Sequence, residues 1–288
     1  MTAEGPVVVG VTGRGENTEA LSVAAREAPH RGGEIVLVHA PSPHLPAPHP
    51  DLVGARPWDE TGHAILEDVR QELVGIADST VAVTTQLQHG SPVEVLTRSS
   101  DQASLIVVQH IPRSWGRRLF AGSTAMSVAT HAHCPVISVP SRGPAPQRHG
   151  RVLVGVHEDG SPAAALEAAF DEASQHGCSL QVSNSWRFAR TYDDVLRRDD
   201  SWRHDALARI QESVDRLSPR FPDVEVELVV RHEWPDEALV DLSAGADLVV
   251  VGRHGTRARV PHFLGSVARG VLLHAACPVM VVPVLTAP

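Results

Sequence analysis

Short apolar runs separated by amphipathic stretches set the rhythm of this chain. In the second half, Arg151 to Val156 is a continuous aliphatic run, which predicts a strand buried on both faces. Pro162 to His176 is Ala-rich, with Pro at its start and Gly177 just beyond its end, and predicts a helix. Ser179 to Ser185 predicts the next strand. Ser201 to Leu217 sets Leu207, Ile210, Val214 and Leu217 at three- and four-residue steps, the spacing of an amphipathic helix. Val224 to Arg231 alternates acidic and apolar residues, as a half-exposed strand would. A short helix over Pro235 to Ala244, a buried strand over Asp247 to Gly252, a helix over Gly265 to Ala275 and a last strand over Pro278 to Pro283 complete the series. The first half repeats this order, and only Pro41 to Trp58, rich in proline and without a period, predicts a long loop.

The repetition extends to the residues themselves. "VVVGV" at Val7 to Val11 recurs as "VLVGV" at Val152 to Val156, an offset of 145. "HCPVISVP" at His133 to Pro140 recurs as "ACPVMVVP" at Ala276 to Pro283, an offset of 143. "SLIVV" at Ser104 to Val108 likewise recurs as "DLVVV" at Asp247 to Val251. The expected organisation is two tandem domains, 1–140 and 151–288, joined by the Pro- and Gly-bearing linker 141–150. Each has five strands separated by four helices. Right-handed crossovers place helices on both faces, so the fold class is α/β, two doubly wound parallel sheets of Rossmann-like type.

Charge and composition narrow the chemistry. The formal net charge of −9 argues against a nucleic-acid partner, and all 25 basic residues are arginine. Without lysine there is no Walker lysine, no kinase strand lysine and no pyridoxal Schiff base. Cys134, Cys178 and Cys277 lack C-x-x-C spacing and offer neither a disulfide framework nor a zinc site. No apolar run is long enough for a membrane span, which predicts a cytoplasmic protein with no membrane partner.

A doubly wound sheet binds ligands beyond the carboxyl ends of its strands, where the strand order reverses. After Asp247 to Val251 the chain reads Gly252-Arg253-His254-Gly255, and after nine further residues Gly265-Ser266 opens a helix. Gly252 and Gly255 let bare backbone approach a ribose and phosphates and tolerate positive φ. Gly265, Ser266 and Val267 are expected to present free N–H groups at a helix N-terminus, where the dipole favours phosphate. Ser266 adds a hydroxyl that can bind the ligand or cap the helix; with Gly252 and Gly255 as a turn, capping is the bland alternative.

These residues resemble the universal stress protein family, whose nucleotide-binding members carry G-x-x-G, nine residues, then G-S or G-T after the fourth strand. Gly252, Gly255, Gly265 and Ser266 match that pattern, and the resemblance extends over nearly the whole chain, including "GADLVVVG" and both "CPV" strand openings. It implies an adenine nucleotide alpha hydrolase-like fold and ATP as ligand. It also implies an adenine lying against the end of the second strand, at Ser185 in the second copy and Ala40 in the first. Family members place an Asp at the end of the first strand, where this chain has Thr12 and His157. Asp159, two residues past His157, is the alternative occupant of that position. The last strands, Val136 to Val139 and Val279 to Val282, are expected to pair the two copies back to back as an intrachain pseudo-dimer; a homodimer of chains is allowed but not required.

The first copy departs from the pattern. Gln109 and Pro112 stand where the second has Gly252 and Gly255, although Gly122-Ser123 is retained. Pro112 lacks an N–H and its ring fills the cradle. Arg113, Arg117 and Arg118 are read as solvated surface residues rather than an anion site. "HAHC" at His131 to Cys134 is read as helix-end capping rather than a metal site.

The expected function is therefore ATP binding at the second copy in a stress-response or regulatory role. Turnover is not expected, because no carboxylate falls between Gly252 and Ser266; Asp159 and Asp247 are the candidates nearby for a base or metal ligand, with Asp247 alternatively capping or hydrogen-bonding the start of its strand. The alternatives are a slow ATPase or autophosphorylating enzyme using magnesium, and an interaction scaffold with a vestigial site.

Overall fold

The computed structural model describes residues 5–41, 58–110, 121–141, 148–157, 163–187, 201–254 and 263–283. The chain divides into two units, 2–143 and 144–288. In the first unit the order is β1 (Val7–Gly10), α1 (Thr18–Glu27), β2 (Glu34–His39), α2 (Trp58–Val74), β3 (Ala82–Leu87), α3 (Pro92–Ser99), β4 (Leu105–His110), α4 (Ala121–His131) and β5 (Val136–Pro140). The second unit repeats it as β6 (Arg151–Gly155), α5 (Ala163–His176), β7 (Ser179–Ser185), α6 (Ser201–Leu217), β8 (Val226–Arg231), α7 (Pro235–Leu242), β9 (Leu248–Gly252), α8 (Ser266–His274) and β10 (Val279–Val282). The loop expected over Pro41 to Trp58 lies outside the described residues, apart from its two ends.

Within each unit the strand order is the same, β3-β2-β1-β4-β5 and β8-β7-β6-β9-β10. All pairs within a unit are parallel. The order reverses between β1 and β4, and between β6 and β9, which are the switch points of a doubly wound sheet. Strands at these positions are buried throughout: Val7, Val9, Leu105 and Val107 in one unit, Leu153, Val154, Val249 and Val250 in the other, are all fully inaccessible. The half-exposed alternation expected of Val224 to Arg231 belongs to β8, an edge strand.

Small residues bring helices close to these strands. Ala165, Ala169 and Ala173 line the buried face of α5, and the fully buried Phe170 stacks on Phe221 at 5.3 Å. The glycine of each "VVVGV"-type run serves packing. A Cβ on Gly10 would stand 2.9 Å from Leu96 of α3, and one on Gly155 would stand 2.6 Å from Leu239 of α7. Both strands thus end close under the terminal methyl groups of a leucine.

Two expectations need correction. The helix expected over Pro235 to Ala244 ends at Leu242 and passes into a 3₁₀ turn, Ser243–Gly245. There the Ser243 hydroxyl bonds the Val240 carbonyl and receives the Ala276 N–H, competing with the helical backbone. His133 is not in a last helical turn, because α4 ends at His131. His131 Nδ1 lies 2.8 Å from the Ser127 carbonyl, whereas His133 lies in the turn beyond and pairs with Asp101 at 2.5 Å. No described helix is long and apolar enough to cross a membrane.

Candidate functional site

In the second unit the parallel register brings the expected residues to neighbouring strand ends. Ser185 ends β7, His157 follows β6 and Gly252 ends β9, three strands side by side. At about 4.8 Å per strand they span roughly 10 Å, the reach of a nucleoside. His157 is exposed, while Ser185 and His254 are half-buried. Gly255 and Asp159 lie outside the described residues. Gly252 is not a turn residue outside any element: it is the last residue of β9, in register with Val282 of β10. It is not among the glycines of positive φ, so a left-handed turn does not explain it.

The start of α8 is clamped to that strand end. The Arg253 N–H donates to the Val282 carbonyl at 2.8 Å, and the Arg253 carbonyl accepts the Gly265 N–H at 2.8 Å. The Gly265 N–H is therefore committed to the protein and is not one of the free donors the sequence suggested. Gly265 is the N-cap residue, its carbonyl accepting the Arg269 N–H, and Ser266 is the first helical residue. Ser266 consequently does not cap the helix, because a cap hydroxyl must come from the residue before the first turn. Among the described residues, no acceptor meets the N–H groups of Ser266, Val267 and Ala268, and the exposed Ser266 hydroxyl has no partner. Three donors and a hydroxyl at the positive end of a helix form an anion-binding arrangement.

Two further features complete the picture. The Ser185 Oγ is inaccessible to solvent and has no hydrogen-bond partner among the described residues. A buried hydroxyl without a partner costs about 1–3 kcal/mol. Beside it, Asn184 Nδ2 donates to the Val156 carbonyl at 2.9 Å and fixes the end of β6 against β7. The first unit makes the matching contact from His39 Nδ1 to Val11 O, also 2.9 Å. This strut was not evident from sequence, since His and Asn share only the capacity to donate.

Asp247 is removed from the chemistry. Its two carboxylate oxygens accept the His149 and Gly150 N–H groups, each at 2.8 Å, where the linker enters the unit. It precedes β9, at the opposite end of that strand from Gly252.

The first unit fills the equivalent space differently. At the position of Gly252, the Gln109 side chain reaches the start of α1: its Oε1 accepts the Ala20 N–H at 2.8 Å. Its Nε2 donates to Glu19 Oε2 and to Ser141 Oγ, both at 3.1 Å. Next to it, burial lowers the pKa of His110 and favours the neutral ring. Pro112, Arg113, Arg117 and Arg118 lie outside the described residues, as do the side chains of Gly122 and Ser123.

Two repeated doubly wound units, each with its switch point between the central strands, define a tandem α/β protein of adenine nucleotide alpha hydrolase-like fold. The chain belongs to the universal stress protein family, whose domain it matches twice, over residues 5–140 and 149–283. It is 34% identical to universal stress protein Rv2005c of Mycobacterium tuberculosis over 286 residues, covering 96% of each chain. The crystal structure of a universal stress protein from Archaeoglobus fulgidus superposes with a TM-score of 0.70 at 17% identity, covering 98% of this chain and 97% of that one. A universal stress protein solved in complex with cAMP is 28% identical, with a TM-score of 0.33 over 47% of this chain and 97% of its own.

Proposed function

We propose that the second unit is a regulatory ATP-binding module, with one site per chain and no efficient turnover. The observation that carries this reading is the start of α8, where the N–H groups of Ser266 to Ala268 and the Ser266 hydroxyl are left without a described partner. The helix start is also pinned to the end of β9, so these donors are held in place before any ligand arrives. Pre-organised donors of this kind favour the phosphate tail. Gly252 admits the ribose, and the end of β7 at Ser185 lies beside the base. His254 and His157 flank the tail and the nucleoside; Gly255 and Asp159 belong to the same site by sequence alone.

Binding requires only these donors, whereas hydrolysis needs a positioned water and a base or metal. The segment between Gly252 and Ser266 supplies arginines, Arg253, Arg257 and Arg259, and no carboxylate. Asp247 is occupied by the linker backbone. The test is the nucleotide content of the purified protein after denaturation, followed by incubation with ATP with and without magnesium. ATP retained unchanged is the expected result. ADP formed at a steady rate would make the protein an enzyme, and failure to retain or bind any nucleotide would leave a scaffold.

A further inference from the structure

We propose that the cleft of the first unit is occupied by the protein itself, with the Gln109 carboxamide acting as an internal ligand that keeps this unit closed.

The start of α1 has donors to satisfy. Its first intrahelical bond runs from Leu21 N–H to the Asn17 carbonyl, so the N–H groups before Leu21 need partners from elsewhere. Asn17 stands at the N-cap position, but its side chain turns back: Nδ2 donates to the Gly13 carbonyl at 2.6 Å and Oδ1 accepts from Thr12. The missing cap is supplied from 89 residues away, by Gln109 Oε1 on the Ala20 N–H. Both ends of the amide are assigned by their partners. Only an oxygen can accept from Ala20 N–H, and only an NH₂ can donate to the Glu19 carboxylate. Glu72 of α2 closes the other side, accepting the Thr18 hydroxyl at 2.5 Å and the Gly15 N–H at 3.1 Å. Two carboxylates, Glu19 and Glu72, thus stand at the helix start, and both oppose an incoming phosphate.

The second unit lacks the amide and both groups it donates to. At the offsets of the repeat, Gln109 becomes Gly252, Glu19 becomes Ala164 and Ser141 becomes Val284. Loss of one member would be drift. Joint replacement of the amide and both groups it donates to sets the first unit apart as the one that carries the plug. The first unit is then held in one form whatever small molecules are present.

Residue-resolved hydrogen exchange of the full chain tests this without any nucleotide, and so stands apart from whether the second unit binds ATP. Gln109→Met fills the same length without polar atoms; the Ala20 amide should exchange at least about tenfold faster, with the amides from Leu21 onward little changed. The pair Gln109→Glu with Glu19→Gln reverses donor and acceptor between the two side chains and should restore protection. Wild-type protection at Ala20 in Gln109→Met would overturn the proposal, because the side chain would then only fill space. So would a reversed pair that exchanges as fast as Gln109→Met. Should Gln109→Met fail to fold, the reversed pair alone decides.

Discussion

Gly265 offers the sharpest test of where the phosphate tail sits. A Cβ built there would lie 3.4 Å from both the Arg253 carbonyl oxygen and His254 Cα, which is close to ordinary contact. The backbone at φ −59°, ψ 153° suits any residue. Gly265→Ala should therefore fold normally, with a stability change under about 1 kcal/mol. Gly265→Val adds two methyl groups beyond that Cβ, against backbone that has no rotamer with which to yield. Overpacking of this kind costs about 1–3 kcal/mol. It also stretches the 2.8 Å Gly265–Arg253 hydrogen bond that clamps α8 to β9, a contact worth about 0.5–1.5 kcal/mol.

The chain should survive that loss with the helix start displaced from the strand end, and on the proposed reading ATP affinity should fall with it. Ser266→Ala is the milder change. It removes one hydroxyl hydrogen bond, about 1.5–3 kcal/mol when it meets a charged group, while the backbone N–H remains. That is roughly a tenfold to hundredfold loss of affinity. Titration calorimetry should rank Gly265→Val as more damaging than Ser266→Ala, and Gly265→Ala as the least damaging. Undiminished ATP affinity in Gly265→Val, with native circular dichroism, would place the nucleotide elsewhere.

Titration of the native chain should saturate at close to one ATP, and two equal independent sites would defeat the assignment; replacing Gln109 and Pro112 together with Gly should raise the number. Gly270→Ala should destabilise the second unit by about 1–3 kcal/mol, because the new Cβ would stand 2.8 Å from Asp236 Cβ and Oδ2 where α8 crosses α7. An unchanged melting temperature would show that the two helices are not held that close. Burial lowers the pKa of His110 from the ordinary 6.5, so the unfolded chain binds its proton more readily than the folded one. Its contribution to stability is present above 6.5 and lost as pH falls through the folded value. Between pH 7.5 and 5.5 the urea midpoint should therefore fall further in the wild type than in His110→Gln, and parallel curves would refute the effect.

The architecture was legible because it is written twice and in the simplest code. Continuous Val, Leu and Ile runs specify doubly buried strands, and Pro162 and Gly177 punctuate a helix whose buried face is alanine. Positions where a side chain competes with the backbone were not legible. Nothing in "SAGAD" announces that the Ser243 hydroxyl shortens α7, and nothing in "GSVAR" shows whether glycine or serine stands at the cap. A one-residue shift there changes the chemistry: it commits the Gly265 N–H to Arg253 and releases the Ser266 hydroxyl. Asp247 shows the same limit, since a carboxylate near a glycine motif suggests catalysis until its two oxygens are found on linker N–H groups.

The two copies share most of their internal structure. Both use the same sheet order, the same leucine over a strand-end glycine and the same strut from β2 or β7 to the neighbouring strand end. Stability therefore does not explain why the carboxyl end of the fourth strand carries Gln109 in one copy and Gly252 in the other. The difference falls at the switch point, where a doubly wound sheet meets its ligand. A side chain there can satisfy the start of α1 from within, as Gln109 does, whereas Gly252 puts no side chain in that place. On the proposed reading, that difference is what admits a nucleoside beside the Ser266 to Ala268 N–H groups in the second copy alone.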